Sequence, residues 1–143
     1  MALPADLRLI LVHKQKTSAR VRFLRFPHGL CAFTPLPALS VVEEEGAVPA
    51  KPRVAHHPNA WLRLSEERLG LDAGSLQAEV DFHATVQTPA GPICVQLARL
   101  DYVDPPFAEA EAAGGRFVAI TEARDCAAVE MELLRRAYAA LMG

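Results

Sequence analysis

The sequence lacks any long apolar run. No stretch approaches the roughly 18 residues a membrane-spanning helix requires, and the run at 9–12 (LILV) is strand-sized and flanked by Arg8 and His13. The first residues also lack a secretory leader's order of basic start, apolar stretch and small-residue cleavage site. A cytoplasmic protein without a membrane partner is the expectation. Cysteine is scarce: Cys31, Cys94 and Cys126 are three in all, an odd number with no CxxC spacing, which argues against a disulfide framework or a zinc ribbon. Each stands in an apolar context and reads as a small buried hydrophobe.

Signatures that carry chemistry are missing as well. The glycine-rich dinucleotide and P-loop patterns, GxSxG and HExxH do not occur, so nothing marks phosphate cradling, a nucleophile elbow or a zinc-dependent hydrolase. His56 and His57 beside Asn59, with His13, His28 and His83 elsewhere, are the available metal-binding material. Adjacent histidines in a loop rarely point the same way, and no third ligand stands at a diagnostic distance. No metal and no cofactor is therefore expected. Pro49-Ala50-Lys51-Pro52 matches PxxP formally and reads as loop punctuation.

What is present describes a folded domain. An apolar fraction of 51% against 22% charge places the chain with globular proteins rather than disordered ones. A length of 143 residues suits a single domain, 1–143. The net charge of −2 is unevenly spread: residues 1–30 hold Arg8, Lys14, Lys16, Arg20, Arg22 and Arg25 against Asp6 alone, about +5, leaving about −7 elsewhere. Such asymmetry marks a nucleic-acid-binding arm, or two parts of one fold that attract each other. No interleaving of aromatic and basic residues of the RNA-binding kind accompanies it, which disfavours nucleic acid.

Residues 7–13 (LRLILVH) and 20–26 (RVRFLRF) read as two strands of a hairpin with a basic tip, the first apolar on both faces and hence central. Pro27, His28 and Gly29 turn the chain into a short piece at 30–33. Over 34–58, Pro35, Pro37, Pro49, Pro52 and Pro58 exclude regular helix for most of the length, with a short strand allowed at 39–42. A helix is expected over 60–69, stopped by Gly70, against an extended WLRL followed by one turn capped by Ser65. Residues 77–88 alternate with period two, placing Val80, Phe82, Ala84 and Val86 on one face. With 93–103 they predict a long hairpin whose polar face meets solvent or a partner. A short helix over 105–113, capped by Asp104 and stopped by Gly114, and a strand at 116–120 should follow.

The strongest helix is 126–141. Projected at 100° per residue, Cys126, Val129, Leu133, Leu134, Ala137, Ala140 and Leu141 share a face, with Met131 and Arg135 turned away, and Glu132 stands at pairing distance from Arg136. Glu130 breaks the pattern by falling inside the apolar arc. A carboxylate there needs a partner, because an unpaired buried charge is very costly. Arg99 or Arg116 on the sheet are the structural candidates, and a working acid or base is the functional alternative.

The expected architecture is α+β: a mainly antiparallel sheet packed against a long C-terminal helix, with one or two shorter helices. The leading functional expectation is a non-catalytic accessory or ligand- and partner-binding module, with a homodimer formed across the long hairpin or the helix. The first alternative is a small enzyme using Glu130 and His83 as general acid and base, with 105–113 as a lid. A Cys94 and His83 pair on consecutive strands is a weaker nucleophile candidate. The second alternative is nucleic-acid binding through Lys14, Lys16, Arg20 and Arg22.

Overall fold

The computed structural model of the chain describes residues 3–44 and 59–142. In chain order these form β1 (Leu7–Lys14), β2 (Val21–Arg25), β3 (Val41–Val42), α1 (Leu62–Leu69), β4 (Leu76–Ala78), β5 (Ala84–Thr88), β6 (Gly91–Leu100), α2 (Phe107–Ala112), β7 (Arg116–Val118), a 3-10 turn at Ile120–Glu122, and α3 (Ala128–Met142). The chain is thus a mixed α/β fold in which a seven-stranded sheet carries three helices, the last at the C-terminus. His56, His57 and the Pro49 to Pro52 fragment lie outside the described residues, as does the rest of the proline-rich segment beyond Glu44.

Strand order is β3-β5-β6-β1-β2-β7, with β4 also paired to β6. The pairings are antiparallel except that between β1 and β6, which runs parallel from Leu7 opposite Cys94 to Val12 opposite Arg99. β1 is central, and its apolar residues divide by parity. Ile10 and Val12 join Phe23, Val95, Leu97, Leu133, Leu134 and Ala137 in one core, beneath α3. Leu9 and Leu11 join Leu24, Ala98, Leu100, Leu62, Leu69 and Ala110 in a second core, beneath α1 and α2. A strand covered on both faces reads as a continuous apolar run rather than an alternating one, which is the pattern of LRLILV.

The long hairpin is interrupted. Ala78 stands opposite Ala98 and Ala84 opposite Val95, so residues 79–83 loop out over Gln96 and Leu97. The loop is tied at its base by Glu79 N–H donating to Leu97 O at 2.9 Å, and Glu79 pairs with Arg99 at 3.2 Å. Phe82, Ala84 and Val86 reach the core as the alternation implies, whereas Val80 is exposed. Period-two patterning reports which face each residue occupies, not whether the hydrogen-bonded ladder is continuous.

α1 begins two residues later than expected and ends at Gly70, whose φ of 68° is the left-handed cap. Glu66 on this helix is 2% exposed. Its two oxygens accept the backbone N–H groups of Gly74 (3.0 Å) and Leu76 (2.7 Å), and Arg63 lies 2.8 Å away. α2 is shorter than its predicted span, and Asp104 does not cap it, accepting instead from Gln15 Nε2. The Gly114-Gly115 pair serves twice: Gly114 is left-handed, and a Cβ on Gly115 would lie 3.1 Å from the Arg25 carbonyl oxygen. Only two residues of the expected 39–42 strand are extended; Leu39 is left-handed instead.

α3 has 15 residues, about 22 Å of helix. Leu133, Leu134, Ala137 and Leu141 are buried, with Val129, Ala140 and Cys126 packed at the margin. Met131, projected away from the core, packs against it in part. Leu134→Ala should cost about 2–5 kcal/mol by leaving a cavity between α3 and the sheet, measurable by urea denaturation.

On its outer side Glu132 accepts hydrogen bonds from Arg135 (2.7 and 2.8 Å) and Arg136 (3.0 Å). The bonds from Arg135 and, next among the guanidinium contacts, Arg136 lower the Glu132 carboxyl from its ordinary 4.5 to about 2. A lowered folded-state value stabilises the fold above the unfolded value and is lost as pH falls through the folded one. The stability difference between wild type and Glu132→Gln should therefore be greatest above pH 4.5 and disappear as pH falls towards about 2, as followed by thermal melts across that window.

Candidate functional site

Glu130 occupies the first turn of α3, where the positive end of the helix dipole favours a carboxylate. Its side chain nevertheless turns inward, and the residue is only 8% exposed. The partner is neither Arg99, which pairs with Glu79, nor Arg116. It is the backbone N–H of Leu30, which donates to Oε2 at 2.7 Å across 100 residues of sequence. The helix start is thereby fastened to the segment that follows β2.

That segment is shaped for the contact. Phe26 and Gly29 exchange backbone hydrogen bonds of 2.8 and 3.0 Å, closing the Pro27-His28-Gly29 turn, and the chain then runs beside β1 through the Ala32 N–H to Leu9 O bond. Gly29 has a φ of 135°, a conformation that strains any side-chain-bearing residue, and a Cβ there would press on the Glu130 carboxylate and force it to shift. The His28 ring stacks on Phe26 at 5.6 Å with an interplanar angle of 6°, and Nε2 bonds to the Cys31 carbonyl at 2.7 Å. A carbonyl only accepts, so Nε2 carries the hydrogen.

Between this turn, residues 35–40 and the start of α3 lies a half-open cleft of about 320 Å³. Its walls are His28, residues 35–40 and residues 127–130, so that prolines, alanines, leucines and Val129 surround Glu130, His28 and Ser40. The rim is conformationally unusual at one residue. Leu39 (φ 62°) is a non-glycine residue in the left-handed region, and its side chain is 84% exposed. Arg8 holds the back of the 35–40 loop by donating to the Pro35 carbonyl at 3.1 Å. The Ser40 hydroxyl donates to the Pro37 carbonyl at 2.5 Å.

His83 is exposed in the 79–83 loop and is not among the residues lining the cleft that contains Glu130. Cys94 sits in β6 opposite Thr85. Cys31 is buried, and its thiol is pushed up to about 12, by burial first and by the Glu130 carboxylate second. A thiol so shifted remains protonated and unreactive. Burial also raises Cys126.

The basic residues of the first hairpin largely have internal contacts. Lys14 Nζ donates to the Leu141 carbonyl at 3.1 Å near the end of α3, Lys16 lies 3.5 Å from Asp101, and the Arg22 guanidinium stands 5.9 Å from the Phe107 ring centre. Arg25 grips Asp125 through two bonds of 2.7 and 3.0 Å, which lowers the aspartate and raises the arginine. Arg20 is exposed at the hairpin turn. Among the described residues no group of three or more His, Cys, Asp or Glu side chains could hold a metal ion, and no helix is long and apolar enough to cross a membrane.

The contribution of His28, Ser40 and the 35–40 loop is invisible in hydrophobic periodicity, since none belongs to a regular element. Gly29→Ala should destabilise by about 1–3 kcal/mol from backbone strain alone. Glu130→Ala should cost about 1–3 kcal/mol by stranding the buried Leu30 N–H, and Glu130→Gln clearly less, because the amide oxygen can still accept it. Chemical denaturation of the three variants checks this order. No family model matches the chain, and a search of curated proteins finds no match either.

Proposed function

We propose that this chain is a non-catalytic binding module whose cleft, between residues 35–40 and the start of α3, receives a small, largely apolar ligand. The observation that carries this reading is a cleft of about 320 Å³ with apolar walls and a nearly buried carboxylate among them. Small-molecule sites have this composition, many apolar contacts with a few placed polar groups, and run from roughly 300 Å³ upward. The left-handed Leu39 at its rim supports it, because backbone strain of this kind is concentrated at ligand clamps.

An acid–base enzyme is supported less well. Its proton-transfer pair would have to be Glu130 with His28 rather than His83, and Glu130 Oε2 is already engaged by Leu30. Among the residues lining the cleft the one hydroxyl, that of Ser40, spends its hydrogen on a carbonyl instead of facing a base. Nucleic-acid binding through Lys14, Lys16, Arg20 and Arg22 would compete with the contacts that Lys14, Lys16 and Arg22 make within the fold. A homodimer remains compatible with the binding reading, and light scattering at high protein concentration tests it directly.

A screen of small apolar and amphipathic fragments, read by amide NMR shifts and thermal melts, tests the cleft. Binders should shift amides in 28–30, 36–40 and 127–130. Ala128→Trp, an exposed substitution at the cleft wall, should abolish these shifts while changing stability by no more than about 0.5 kcal/mol. Binding confined to other surfaces, or unaffected by Ala128→Trp, overturns the proposal.

A further inference from the structure

We infer that the ligand of the cleft carries a primary ammonium group on an apolar skeleton and seats that group against Glu130. The inference rests on the binding reading above and adds the chemical class to it. It starts from an imbalance in the cleft's polar groups. The Glu130 carboxylate is nearly buried, yet its hydrogen bond within the described chain is a single one, from Leu30 N–H to Oε2. Its other oxygen, Oε1, receives none, and the residue lines the cleft. No lysine or arginine is among the lining residues. Of the cations nearby, Arg25 bonds both oxygens of Asp125 and reaches Glu130 only through its field, and Arg8 donates to the carbonyls of Ala5, Leu7 and Pro35.

The neighbouring polar side chains point to the same class of ligand. His28 gives its Nε2 hydrogen to Cys31 O, and Ser40 gives its hydroxyl hydrogen to Pro37 O. Ser40 Oγ and Glu130 Oε1 are therefore acceptors left on side chains that line the cleft. An ammonium group brings three donors and a full positive charge, which meets both the acceptor set and a carboxylate that no ion pair neutralises among the described residues. The walls of proline, alanine, leucine and valine suit an alkyl or alicyclic body.

Crowding at Oε2 decides between cations. A guanidinium binds carboxylate best through two parallel bonds, one to each oxygen. Here Leu30 N–H already occupies one lone pair of Oε2 and Gly29 packs against both oxygens, which crowds a two-pronged approach. An ammonium behaves as a compact point charge and needs only Oε1.

Four probes with a common six-carbon chain separate the possibilities: hexylamine, hexylguanidine, 1-hexanol and hexanoate, each titrated into the full-length protein at about pH 7, where the amine is charged. Hexylamine should shift amides in 28–30, 36–40 and 127–130 and bind roughly ten-fold or more tightly than each of the other three. Glu130→Gln should erase that preference while its spectrum stays that of a folded protein. If the variant does not fold, the ranking of the four probes on the wild type decides alone. Equal or tighter binding of hexanol, hexanoate or hexylguanidine at the same amides overturns the ammonium assignment and leaves the cleft reading standing. If none of the four moves those amides while other fragments do, the assignment again falls alone; if nothing binds there, both fall.

Discussion

The parallel pairing of β1 with β6 is the constraint on which the rest of this fold depends. Two parallel strands cannot be joined by a tight turn, so nearly eighty residues separate the end of one from the start of the other, and that excursion holds β2, β3, α1, β4 and β5. A strand paired on both edges and apolar on both faces must also be covered on both sides. α3 supplies one cover, and α1 with α2 the other. A full burial of Leu, Val or Phe side chains contributes about 1.5–3 kcal/mol each. Because β1 feeds both cores, displacement of either cover exposes alternate residues of the same strand.

Long excursions have to be fastened, and this chain uses glutamates on helices to do it. Glu66 on α1 receives the backbone N–H groups of Gly74 and Leu76, fixing the turn into β4. Glu130 on α3 receives that of Leu30, fixing the turn out of β2. In each case the carboxylate satisfies a buried donor that would otherwise cost about 1–3 kcal/mol. The two differ in what remains. Glu66 has both oxygens bonded and Arg63 beside it, whereas Glu130 has one oxygen bonded and a cleft in front of it. One carboxylate is closed on itself, and the other is left with unused capacity.

Much of the architecture was legible in the sequence because it follows from period and punctuation. The first hairpin, the stop at Gly70, the stop at Gly114 and the buried face of α3 lie where alternation, helical projection and glycine placed them. The interrupted hairpin was not legible, since residues 79–83 leave the ladder without disturbing the parity of Phe82, Ala84 and Val86. The anomaly of Glu130 could be read from its projection, but its partner could not. A side chain that bonds a backbone N–H 100 residues away leaves no complementary residue type to search for. Glu66 was hidden for the opposite reason: in a run of Ser-Glu-Glu-Arg it resembles any solvated helix face.

The same local logic explains why the cleft lies where it does. Gly29 holds a conformation that disfavours a side chain and leaves room for the Glu130 carboxylate at Leu30, and Glu130 sits in the first turn of α3, where its charge is favoured. These two placements bring the open end of a helix, a histidine-bearing turn and the proline-rich 35–40 loop to one place. The fastening that secures α3 to the sheet therefore also forms the polar wall of the cleft. Any ligand held by the folded chain alone would add to its stability by mass action, and it would do so through the helix that covers half of β1. The fold and the cleft wall are in this way tied to one side chain, with Oε2 serving the fold and Oε1 without a hydrogen bond among the described residues.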